Sequence, residues 1–137
     1  RVIGTASEGN HEHIPGLGAE PVAYSDGLVE RVRALAPDGV DVVLDYVGGD
    51  ALALSPQLAR STGRIVSVVD AATVLGFGGS YAFVRPDASG LAALADLVDA
   101  GTLRIGLAAT FPLAGAAAAQ QLVEQGHVRG KVAISVP

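Results

Sequence analysis

Val40-Asp41-Val42-Val43-Leu44-Asp45 is a nearly unbroken apolar run, and Gly48-Gly49 ends it. It does not alternate polar with apolar residues. It therefore reads as a strand covered on both faces, the kind found in parallel sheets with helices packed above and below. Parallel strands cannot be joined by a tight turn and need helical crossovers, so this run constrains what must flank it.

The flanking sequence supplies that alternation. Residues 2–6 and 21–24 read as short strands, 64–69 and 81–84 as later ones, and 131–136 as the last. Residues 7–17 predict a helix that Pro15-Gly16 ends or kinks. Ser25 or Asp26 is expected to cap a helix with the apolar face Leu28, Val29, Val32 and Leu35. The helix after Gly48-Gly49 runs toward Arg60 and is expected to distort at Pro56; a glycine-rich loop follows Asp70. Asp87 or Ser89 caps a helix with the stripe Leu91, Leu94, Leu97 and Val98. Residues 103–105 read as a short extended piece, and 113–124 as an alanine-rich helix. The expected fold class is α/β, a doubly wound and mostly parallel sheet with right-handed crossovers.

Composition narrows the function classes. One domain suits 137 residues, and a 50% hydrophobic chain can build a core. A net charge of −5 argues against a nucleic-acid or anionic-membrane surface. No apolar run approaches the roughly 20 residues that span a bilayer. With no signal peptide at its start, the chain is expected to be cytoplasmic. The absence of Cys excludes disulfides and cysteine-held zinc within these residues. The chain opens on Arg1 and runs straight into Val2-Ile3, as a fragment, a processed chain, an excised domain or a trimmed chain would.

Spacing alone gives few chemical candidates. His11 and His13 are two apart and would face different sides of a helix, a poor metal pair. No metal site is expected. Asp41 and Asp45 share one face of a strand, and Asp45 lies at its C-terminal end, where sites form in α/β sheets. Asp45, Tyr46 and Asp70 are the candidate acid–base residues.

Ordered short stretches carry a family resemblance. They are Gly4-Thr5-Ala6-Ser7, Leu17-Gly18-Ala19-Glu20, Val22-Ala23-Tyr24, the run from Gly39 to Asp45 with Val47-Gly48-Gly49, and Gly63-Arg64-Ile65-Val66-Ser67. Phe83-Val84-Arg85-Pro86-Asp87, Asp99-Ala100-Gly101, Phe111-Pro112-Leu113 and Gly126-His127-Val128-Arg129-Gly130-Lys131 follow. In this order they resemble the quinone-oxidoreductase-like, zinc-independent branch of the medium-chain dehydrogenase/reductase superfamily.

The resemblance implies a single truncated Rossmann-like domain over 1–137. Residues 1–102 would be the nucleotide-binding core, and 103–137 a tail that packs on a catalytic domain outside these residues. The family's first strand and its glycine-rich phosphate turn also lie outside them. Without that strand, β-strands 1 and 3 of this chain either close up into the flavodoxin-like order 2-1-3-4-5 or leave a gap for another chain to fill.

The resemblance also implies NADPH as cofactor, bound weakly or not at all by the isolated chain, because pyrophosphate recognition rests on the glycine turn. Thr5-Ala6-Ser7 puts no carboxylate at the strand end that would meet a ribose 2′-OH. The implied cofactor residues are Ser7, Asn10, Tyr24, Val47, Gly48, Val69, Phe83 and Lys131. Asn10 stands where many relatives have Lys or Arg. Two functions follow. One is part of an NADPH-dependent reductase of quinones, enones or similar carbonyls, unable to transfer hydride alone. The other is a non-redox protein of that ancestry, an acid–base enzyme or a binding and dimerisation module. Expected partners are a small-molecule substrate or cofactor and either a second copy or the missing N-terminal half.

Overall fold

The computed structural model describes residues 1–126 and 128–137. The chain divides into two compact units, Arg1–Arg85 and Pro86–Pro137.

In the first unit, β1 (Ile3–Ala6) and β2 (Glu20–Ala23) pair in parallel, with Ile3 opposite Glu20 and Ala6 opposite Ala23. Helix α1 (Leu28–Leu35) follows and buries Leu28 and Val32. These pack with Val22 and Leu58, and Leu54 and Val40 join the cluster's margin. A second sheet holds β3 (Val43–Asp45), β4 (Ile65–Ser67) and β5 (Ser80–Tyr81), all parallel. Helices α2 (Gly49–Leu54) and α3 (Ala71–Gly76) are its crossovers. Leu52, Ile65 and Val74 are fully buried together, one from each helix and one from β4. Burying each such side chain stabilises the unit by about 1.5–3 kcal/mol.

In the second unit, α4 (Ala88–Asp99) precedes β6 (Leu107–Pro112), α5 (Ala116–Glu124) and β7 (Lys131–Ser135). β6 and β7 pair in parallel, from Leu107 opposite Lys131 to Pro112 opposite Ser135. Ala119 is the buried residue of α5, where a small side chain lets the helix approach the strands. Gly130 has φ 103°, and a Cβ there would lie 2.5 Å from the Gly106 carbonyl oxygen.

The α/β class and the parallel pairing are as the sequence indicates, with several local corrections. β1 pairs with β2 and β3 with β4, but β1 and β3 do not pair among the described residues, so the continuous order 2-1-3-4-5 does not form. The β1–β2 layer instead closes its core on Leu58 and Leu54, which belong to the crossover after β3. β3 is accordingly not covered on both faces, and Leu44 is 60% exposed. Residues 7–17 hold two short 3-10 turns, Glu8–Asn10 and Pro15–Leu17, because Pro15 and the left-handed Gly18 break the expected helix. Neither Ser25 nor Asp26 caps α1; its N-cap is Gly27 with φ 84°. The loop after Asp70 contains α3. The strand of this region is β6, which begins just after residues 103–105. Tyr81–Val84 shortens to β5, which ends at Tyr81. The expected distortion at Pro56 is present: α2 gives way to a 3-10 turn at Ser55–Gln57.

Candidate functional site

Parallel strands bring their C-terminal ends to one edge. Asp45, Ser67 and Tyr81 end three adjacent strands in register. The segments leaving that edge carry Tyr46, Val47 and Gly48, then Val69 and Asp70, then Phe83. Tyr46, Val47, Val69 and Phe83 are all exposed, and the Phe83 ring lies 6.3 Å from that of Tyr81 in a tilted arrangement.

Asp45 is buried and fully engaged. One carboxylate oxygen accepts the backbone N–H groups of Val47 at 3.1 Å and Gly48 at 2.9 Å. The other accepts the Ser67 hydroxyl at 2.7 Å. Ser67 Oγ in turn accepts the N–H groups of Val69 and Asp70 at 3.2 and 3.1 Å. Two strand-end loops are thus tied to one buried pair. Gly48 turns with φ 76°, and a Cβ there would lie 3.3 Å from Val69 Cγ2. The positive φ favours glycine here, and Val69 would have to give way slightly to a side chain.

Asp70 caps α3 by accepting the Thr73 N–H at 3.0 Å. That bond is the main cause holding its carboxyl below the usual range. Asp45 and Asp70 therefore spend their oxygens on backbone and hydroxyl donors. Tyr46 carries the least constrained of the three candidate side chains, being 67% exposed.

The β1–β2 edge carries the other group. Ser7 and Tyr24 directly follow the paired residues Ala6 and Ala23, so they leave the sheet side by side. Asn10 Nδ2 donates to Ser7 Oγ at 3.2 Å. Ser7 makes no side-chain cap bond to the following turn. Tyr24 helps line an open cleft of about 400 Å³ with Ser25, Gly27, Leu28, Asp50 and Leu54. Lys131 opens β7 in the second unit and is exposed.

His11 Nε2 lies 3.2 Å from the Ala6 carbonyl oxygen. Asp41 sits before β3 and pairs with Arg60 at 2.6 Å. His127 lies outside the described residues. Sequence reasoning missed Ser67. The signal was a polar residue ending a buried strand beside another strand that ends in Asp.

The model of the family described as zinc-binding dehydrogenase matches residues 17–134. The quinone oxidoreductase from Coxiella burnetii is 33% identical, with a TM-score of 0.83 over 99% of this chain and 45% of that one. An NAD-dependent alcohol dehydrogenase is 28% identical, with a TM-score of 0.82 over 100% of this chain and 44% of that one. NAD(P)H oxidoreductase RTN4IP1, mitochondrial, of Danio rerio is 26% identical over 96% of this chain and 42% of its own length. The chain thus spans less than half the length of these relatives. The family's description implies zinc. Among the described residues no group of three or more His, Cys, Asp or Glu comes together to hold it, so these residues do not fit the metal.

Proposed function

We propose, because this chain belongs to the zinc-binding dehydrogenase family of the medium-chain dehydrogenase/reductase superfamily, that it is the C-terminal, cofactor-facing part of an NADPH-dependent oxidoreductase. Its substrates would be quinones, enones or similar carbonyls, and its chemistry would be zinc-independent and cytoplasmic. A nicotinamide cofactor supplies hydride when bound; the protein supplies position and surroundings.

Ser7 and Tyr24 would hold the 2′-phosphate end, with Asn10 fixing the Ser7 hydroxyl. Val47, Gly48, Val69 and Phe83 would line the nicotinamide end, where exposed apolar surface exists to be covered. The supporting observation is the edge of β1 and β2: Ser7 and Tyr24 each follow one of the paired residues Ala6 and Ala23, with no carboxylate ending β1 to receive a ribose 2′-OH.

Thermal-shift titration with NADPH, NADP and NADH tests this reading. The expected result is weak or absent binding, because the phosphate-holding turn lies outside these residues, with NADPH preferred in whatever remains. Micromolar binding of NADH without NADPH would refute it. The acid–base alternative is weakened by the saturated oxygens of Asp45 and by the capping role of Asp70. The binding-module alternative draws on the exposed stripe of α4.

A further inference from the structure

Arg31 was singled out by no motif, yet its guanidinium makes the densest set of side-chain bonds at the β1–β2 edge. It projects from α1 back onto the turn that follows β2. Nε and Nη2 donate to the Ala23 carbonyl at 3.3 and 2.9 Å. Nη2 also reaches the Ser25 carbonyl at 2.7 Å and the Ser25 hydroxyl at 3.3 Å. Nη1 donates to the Asp26 carbonyl at 2.8 Å. The carbonyls on either side of Tyr24 are thus tied to one planar cation, whose rigid fork holds several acceptors at once.

The braced turn is also a wall of the cleft, through Tyr24, Ser25, Asp26 and Gly27. Acidic groups crowd the sequence here: Glu8 follows Ser7, Asp26 and Glu30 flank the turn, and Asp50 lines the cleft. An anion arriving beside Ser7 and Tyr24 meets that negative field. Asn10, the neighbour of Ser7, carries no charge to offset it. Arg31 is the cation bonded to this turn, and one Nη1 proton is left without a protein acceptor among the described residues.

We propose that Arg31 is a specificity-determining positioning residue for the 2′-phosphate of the adenosine moiety. It fixes the Tyr24 turn from behind and supplies the local positive charge that Asn10 does not. This rests on the NADPH reading above and deepens it.

The test uses the 137-residue chain, with 2′-AMP and 5′-AMP as separate probes, titrated while backbone amide NMR shifts are followed. The parent chain is expected to bind 2′-AMP more tightly and to move the Ser7 and Tyr24 amides. Arg31→Gln is expected to lower the ratio of 2′-AMP to 5′-AMP affinity by about fivefold, the scale of one unit charge about 4 Å away under the full screening of bulk water. A merely structural role would weaken both probes alike and leave the ratio unchanged. Arg31→Lys, which keeps the charge without the fork, is expected to retain part of the preference and guards against a Gln variant that does not fold. A parent chain that binds 5′-AMP at least as tightly as 2′-AMP overturns the NADPH reading and this proposal with it, and one that binds neither probe overturns the role of Arg31 in this chain alone. A parental preference that survives in both variants overturns the role of Arg31 alone.

Discussion

The Ser67 hydroxyl donates to the buried Asp45 carboxylate at 2.7 Å, and every donor around this pair points inward. Ser67 has one proton, given to Asp45, and its oxygen already accepts two N–H groups. Asp45 must therefore act as an acceptor on both oxygens. An amide in its place would turn a donor toward a hydroxyl with no acceptor capacity left.

Ser67→Ala should accordingly destabilise the first unit by about 1–3 kcal/mol, because it strands a buried carboxylate oxygen and two backbone N–H groups. Asp45→Asn should cost a comparable amount despite its matching shape. Urea unfolding of both variants checks this, and a neutral Asp45→Asn would show that the donor pattern is not as described.

Three carboxylates contribute to the acid limb of stability. Glu20 is held low chiefly by the Arg1 side chain, Asp70 by the Thr73 N–H, and Asp87 by the Ser89 hydroxyl. Their folded-state pKa values lie below the unfolded ones, so their stabilisation is present above about pH 4 and is lost as pH falls through the folded values. Melting followed by circular dichroism should change little from pH 7 to 5 and drop below about pH 4. Asp87→Asn keeps a capping oxygen without the titration, and should flatten that drop.

Gly130→Ala should loosen the β6–β7 pair by about 1–3 kcal/mol, since a positive φ and a carbonyl contact oppose the new methyl group together. Urea unfolding monitored through Phe111, which lies opposite Ile134 in that pair, would register the change. Retained stability would mean the strand entry has room to shift.

Self-association of the chain is expected from α4. Leu91, Leu94, Leu97 and Val98 lie on one stripe and remain exposed, Leu91 at 70%. Exposed apolar stripes of this kind commonly mark interaction surfaces, and a two-fold pair is the simplest closed arrangement. Sedimentation at micromolar concentration should show a dimer that Leu94→Glu shifts toward monomer. A parent chain that stays monomeric would remove the idea.

Much of the fold was legible because punctuation was strong. Gly48-Gly49 marked the passage from β3 to α2, Pro56 broke α2, and Asp87 announced α4. What failed had competing signals. Gly76, Gly78 and Gly79 made α3 look like a loop, although Asp70 stood three residues before Thr73 as its cap. β6 was hidden because Leu107-Ala108-Ala109 has neither clear alternation nor β-branched residues. The order of strands could not be read locally at all: β1-β2 and β3-β4-β5 form separate sheets, while Leu54 and Leu58 from the crossover after β3 pack with Val22, Leu28 and Val32. At the strand ends, motifs pointed to Ser7 and Tyr24, whose role is the proposal made above. Ser67 and Arg31 were not, because their importance lies in partners that only folding brings near.

The N–H groups of Val47, Gly48, Val69 and Asp70 belong to loops, yet all four are bonded to the buried Asp45–Ser67 pair. Loop amides ordinarily trade hydrogen for deuterium through small, cheap fluctuations. Each is held by a side chain that the Asp45–Ser67 bond pins between the ends of β3 and β4, so these bonds are expected to open most readily when those ends part. They should exchange together with the amides of that ladder, so that the loops keep the slow clock of the sheet rather than the fast one of the surface.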